Sequence, residues 1–195
     1  MKHEVKSPLR YPGGMSKAVD QIIPLIPNDF NEFREPFVGG GSVFIAVKQR
    51  LKNNVLFKIN DLNYDLYCFW IQVKENLPKL IERLNCIKKN ILNGKELFEF
   101  YMRNDKDLSD LERAVRFFVL NRITFSGTVD SGGYSQQAFE KRWTQSSIDR
   151  LKFLSPLLQD VEISHGDYEQ LLFQEGEKVF IFLDPPYLEP QKSKL

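Results

Sequence analysis

The sequence is poor in the residues that carry redox, metal or membrane roles. It has two cysteines, Cys68 and Cys86, and two histidines in 195 residues. Two lone cysteines build neither a disulfide framework nor a zinc site, so no metal is expected and a reducing, cytoplasmic setting is the default. No apolar run approaches the ~20 residues that a membrane-spanning helix needs, and no membrane partner is expected. The first fourteen residues lack the apolar core of a secretory signal. An excess of either charge is missing too, with 27 basic residues against 26 acidic ones, net +1. Any nucleic-acid partner must therefore be met by a local patch. What remains, 42% hydrophobic and 27% charged, is an ordinary globular composition, long enough for one domain carrying a modest insert.

Periodicity divides the chain into three parts. Phe33 to Val38 reads as a strand that ends in the turn Gly39-Gly40-Gly41. Ser42 then stands where it can cap a helix with Val43, Phe44, Val47 and Leu51 on one side. A second strand, Val55 to Ile59, is followed by Asp61. From Leu62 to Asn121 the rhythm is helical, with stripes at Leu66/Phe69/Trp70/Val73/Leu77, at Leu80/Ile81/Leu84/Ile87/Ile91 and, entered through Ser109, at Leu111/Ala114/Val115/Phe118/Val119. Thr124 to Gln137 reads as a Gly- and Ser-rich loop. Strands return at Val161 to Ser164, with Asp167 placed to cap a short helix, and at Val179 to Leu183. The last is apolar on both faces, as a doubly buried central parallel strand would be. The expected fold is α/β, a Rossmann-like doubly wound sheet of four strands over 1–63 and 150–195, interrupted by an all-helical insert over 64–149.

Strand, glycine turn and helix together present backbone N–H groups to a ligand. A dinucleotide is disfavoured, because the third glycine of that fingerprint is replaced by Phe44 and no Walker lysine follows the turn. Asp61 suits the hydroxyls of a ribose, which points to an adenosine without phosphates; a ligand-free tight turn is the plainer alternative. Asp184-Pro185-Pro186-Tyr187, directly after the apolar strand, is more specific. A carboxylate and a proline-fixed carbonyl can accept both hydrogens of an exocyclic amine, and Tyr187 can stack on a base turned out of its helix.

These segments, with Arg10-Tyr11-Pro12-Gly13-Gly14, Glu35-Pro36-Phe37-Val38-Gly39-Gly40-Gly41-Ser42-Val43-Phe44 and Asn121-Arg122 followed by Phe125-Ser126-Gly127, resemble the Dam-like N-6 adenine-specific DNA methyltransferases in kind and in order. The resemblance implies S-adenosylmethionine as cofactor, with Tyr11 and Met15 beside it. Glu35, Pro36, Phe37, Gly39, Gly41 and Ser42 would cradle its methionine part. Asp61 would hold its ribose, Asp167 and Tyr168 its adenine, and Asp184 would border it. Asp184, Pro185, Pro186 and Tyr187 would be catalytic. Double-stranded DNA would be the partner of the insert, met by Arg116, Asn121, Arg122, Ser126, Gly127, Lys141 and Arg142. A cognate restriction endonuclease would be a further partner in a restriction–modification system. Independently, Glu112 to Lys152 carries seven basic residues against four acidic ones, a patch suited to phosphates.

Two departures qualify the resemblance. Met15 stands where the family usually has lysine. Family members also continue well beyond the catalytic tetrapeptide, whereas this sequence stops at Leu195, so a fragment or one half of a split enzyme is expected. The competing readings are a fragment that only binds cofactor or DNA, and a methyltransferase acting on RNA or a protein amide.

Overall fold

The computed structural model describes residues 4–11, 13–51, 55–129 and 132–186. In chain order its main elements are α1 (Val19–Ile22), β1 (Glu32–Glu35), α2 (Ser42–Arg50), β2 (Leu56–Asp61), α3 (Tyr64–Glu75), α4 (Leu77–Asn90), α5 (Gly94–Arg103), α6 (Asp110–Ile123), α7 (Gln136–Arg142), α8 (Gln145–Asp149), α9 (Leu151–Leu158), β3 (Val161–His165), α10 (Glu169–Leu172) and β4 (Val179–Ile181). The four strands form one parallel sheet in the order β3-β2-β1-β4. The fold is α/β. No helix among the described residues is long and apolar enough to cross a membrane.

The two faces of the sheet are chemically unlike. On one, Phe33 meets Phe57 at 5.5 Å and Phe180 at 6.0 Å between ring centroids, and Phe44 of α2 packs edge-on against Phe57 at 6.0 Å. On the other, Arg34 reaches Glu32 at 2.6 Å, and Lys58 reaches the same carboxylate at 3.0 Å. Arg34 also donates to the carbonyls of Leu171, Gln174 and Glu175, which fastens the segment between α10 and β4 across that face.

Helix α3 belongs to the apolar layer. Its Trp70 stands edge-on to Phe44 at 6.4 Å, and its Phe69 stacks on Phe118 of α6 at 5.8 Å. One continuous core thus runs from the sheet into the helical region, and residue 64 opens a helix that packs on β2 and β3. In α6 every residue from Ala114 to Ile123 is buried, the mark of a helix surrounded by its neighbours. Ser109 caps it by accepting from Glu112 N–H at 3.3 Å.

Three local expectations change. Gly41, with φ +65°, occupies the N-cap of α2 in place of Ser42, whose hydroxyl makes no cap bond. A Cβ on Gly41 would lie 2.8 Å from the Trp70 ring. The loop expected over 124–137 holds a 3-10 turn at Phe125–Gly127 and a bridge between Thr124 and Tyr134, and α7 starts at Gln136. β4 is shorter than expected, Val179–Ile181, half-buried and, among the described residues, paired with β1 alone.

Candidate active site

Parallel α/β sheets bind ligands beyond the carboxyl ends of their strands, where the strand order reverses. Here that point lies between β1 and β4, and a cleft of about 600 Å³ opens there. It is walled by Tyr11, Gly13, Gly14 and Met15, by Glu35 and the turn from Phe37 to Val43, by Asp61 and Leu62, and by Phe182, Asp184, Pro185 and Pro186. The structure therefore brings together Tyr11, Met15, Glu35, Phe37, Gly39, Gly41, Ser42, Asp61, Asp184, Pro185 and Pro186. Tyr187 lies outside the described residues. Leu62 and Phe182 join the lining without having been expected; an exposed leucine directly after a strand-terminal acid was the available signal.

The glycines shape this cleft. Gly39 has φ +46°, and a Cβ there would stand 2.9 Å from the Tyr11 ring, so the ring lies directly on the turn. Ser7 donates to the carbonyl of Gly40, and Gln49 both donates to and accepts from the backbone of Val5 at 2.8 Å, which ties the N-terminal arm to α2.

Three acids face the cleft. Asp61 accepts from Gly39 N–H at 2.9 Å and Asn63 N–H at 3.0 Å. Burial raises its carboxyl above the usual value, while those N–H groups, that of Leu62 and the nearby His165 work against the rise. Burial raises the partly covered Asp184 as well. Glu35 is 3% exposed, and its Oε2 has no hydrogen-bond partner. Burial drives its carboxyl well above the usual value, the Phe44 N–H opposes this, and Asp184 and Asp61 add to it.

Other expected residues sit behind the lining. The Pro36 carbonyl accepts from Asn60 at 3.2 Å in the buried wall. Tyr168 packs on Phe37 at 5.0 Å, one layer out, and Asp167 accepts from Glu169 N–H at 2.9 Å at the start of α10.

The helical region needs correction. Arg116, expected to face DNA, is buried, paired with Asp65 at 2.7 Å and donating to the Tyr101 carbonyl at 3.0 Å. Asn121 is fully buried, accepting from Arg10 N–H at 2.9 Å and donating to the Arg10 and Gly127 carbonyls at 2.6 and 3.0 Å. Gly127 is buried with φ +77°, and a Cβ there would lie 2.2 Å from the Arg10 carbonyl. Arg116 thus ties α6 to α3 and α5, while Asn121 and Gly127 hold the arm and the loop together. Arg122 differs. It is buried with Nε unpartnered, and burial followed by Arg10, Arg150 and Arg142 lowers it to about 9. Arg142, Arg150, Lys141 and Ser126 are exposed around it or nearby along the chain.

Comparison with known proteins gives the same direction. The sequence profile of the D12 class N6 adenine-specific DNA methyltransferases matches residues 11–194. The type II methyltransferase M.MjaIII of Methanocaldococcus jannaschii is 30% identical across 97% of this chain and 72% of its own length. The type II methyltransferase M1.LlaDCHI of Lactococcus lactis is 28% identical across 92% of this chain, and the DNA adenine methylase of Haemophilus influenzae 25% across 95%. Of those two the chain spans 64% and 65% of the length. With a profile match over nearly all of its residues, this chain belongs to the D12 class N6 adenine-specific DNA methyltransferase family.

Proposed function

We propose that the cleft holds S-adenosylmethionine and an adenine turned out of double-stranded DNA, and that the methyl group passes to the adenine's exocyclic amine. The observation that carries this is the convergence of the glycine turn after β1, Asp61 after β2 and Asp184-Pro185-Pro186 after β4 on one cavity. The residues present fit the cofactor. Glu35 offers a buried carboxylate oxygen without a partner, suited to an ammonium group. Asp61 keeps acceptor capacity for a ribose hydroxyl beside its backbone donors. The tight approach of Tyr11 to Gly39 makes a flat wall.

When bound, the cofactor supplies an electrophilic methyl on a sulfonium. Asp184 and the Pro185 carbonyl would each accept a hydrogen bond from the amine, drawing its lone pair out of conjugation and aiming it at that methyl. Asp184 would then take the proton that the methylated amine sheds and pass it to water. Arg122 with Arg10, Arg142 and Arg150 supports the DNA reading, because a basic cluster with a buried member whose Nε has no partner suits phosphates.

The test is transfer of labelled methyl from S-adenosylmethionine to unmethylated DNA, with folding followed by circular dichroism. Adenine-linked label that vanishes in Asp184→Ala is the expected result. A folded chain that binds both ligands without transferring label would reduce it to a binding protein.

A further inference from the structure

Glu35 is an unusual residue to keep inside a core. It ends β1 on the face covered by α2, it is almost wholly enclosed, and one of its oxygens has no partner. The groups around it give little help to a negative charge. Asp61 comes from β2 and Asp184 from β4, both acidic, and α2 contributes the Phe44 N–H. The turn after the N-terminal arm contributes Met15, which is uncharged. No lysine, arginine or histidine is among the described residues that line the cleft. A buried carboxyl among acids holds its proton to higher pH than an exposed one, and a cation beside it works the other way. A metal ion is a poor candidate for that cation, since no three His, Cys, Asp or Glu among the described residues converge as ligands. An amine needs only one carboxylate oxygen.

We infer that Glu35 receives the ammonium group of the bound ligand and gives up its own proton to solvent as that ligand enters. The Glu35 O–H bond breaks, the proton passes to water, the ammonium keeps all of its protons, and a buried ion pair forms. The inference rests on the reading of this cleft as the cofactor site and adds to it a linkage between cofactor affinity and pH. Below the pH at which empty Glu35 ionises, affinity rises about tenfold for each unit of pH, and above it the dependence levels off. The same linkage favours ligands that carry an amine over the bare nucleoside.

Isothermal titration calorimetry of the full chain with S-adenosylmethionine tests this, in buffers of small and large ionisation enthalpy at neutral pH. A heat that varies with the buffer, corresponding to release of up to about one proton, is expected. Adenosine, which has no amino-acid part, should bind without that variation. Glu35→Gln should remove the variation and weaken S-adenosylmethionine roughly 10- to 100-fold, one to two factors of ten in the binding constant. Buffer-independent heat from the unaltered chain would overturn the inference while the cofactor reading stands. Equal proton release with adenosine would overturn it too, by moving the proton to Asp61 or Asp184. A folded chain with no affinity for S-adenosylmethionine would bring down both.

Discussion

Glu32 and Glu35 sit three positions apart on one strand, both buried, and the chain treats them in opposite ways. Glu32 shares its carboxylate with Arg34 and Lys58 on one face of the sheet. Burial alone would raise its carboxyl, but those two partners hold it below the usual value. Glu35, at the other end and on the other face, has acids for neighbours and an oxygen with no partner. A buried charge that is fully paired serves the fold; one left unpaired costs stability and waits for a ligand. The carboxyl end of the sheet therefore looks like a site, and the opposite face looks like a fastening.

The sharpest break in that contrast is Arg34→Ala. It leaves Glu32 with Lys58 as its one remaining cation and releases the three carbonyls that Arg34 holds, and loss of one partner of a buried pair costs about 3–5 kcal/mol. Urea unfolding should show a loss of that size. Gly41→Ala comes next. It places a side chain at φ +65° and against Trp70, so about 1–3 kcal/mol of overpacking is expected in the same measurement, with weaker cofactor binding.

The third prediction concerns pH and has opposite signs for the two glutamates. The folded-state value of Glu32 is lowered, so its stabilisation is present above the ordinary glutamate value and is lost as pH falls through the folded value. That of Glu35 is raised, so it stabilises in acid and costs stability as pH rises from the ordinary value through the folded one. Glu32→Gln should therefore flatten the acid limb of a stability–pH profile, and Glu35→Gln the limb toward neutrality. The smallest effect belongs to Arg103→Ala. Its pair with Glu99 at 3.1 Å is exposed, and the unfolding midpoint should move by no more than ~0.5 kcal/mol equivalent.

The cleft was more legible than the helical region for a physical reason. A glycine turn after a strand and acids at strand ends are local features, and Gly39, Asp61 and Asp184 meet in the structure as their positions after β1, β2 and β4 require. Burial of a polar side chain is not local. Asn121 was placed toward DNA through the family resemblance and Arg116 through the local excess of basic residues, and neither signal reports burial. Only the packing of α3, α4, α5 and α7 around α6 turns them inward. α7 to α9 were missed because helices of 7, 5 and 8 residues leave few turns in which a period can show. The apolar character of 179–183 correctly marked a strand, of which Val179–Ile181 pairs in the sheet. Hydrophobic faces report what lies above and below a strand: Phe30 stacks on Phe180 at 5.4 Å, and Phe33 stands beside it in register on β1.

The pairing of β1 with β4 has a consequence for how the molecule is made. Glu32 aligns with Val179, and Arg34 with Ile181, so the first strand of the sheet meets this neighbour only after the whole helical region has been synthesised. Contacts so distant in sequence carry the largest loop-closure cost and slow the folding rate. On the ribosome, β1, α2 and β2 emerge early, and the guanidinium of Arg34 then has Glu32 for company but none of its later carbonyl partners. The glycine turn and Asp61 can take shape at that stage; the arm that bears Asp184 cannot. The half of the cleft built on the first two strands would thus be available before the half built on the fourth, and a ligand of that first half would act on a nascent chain as a folding ligand.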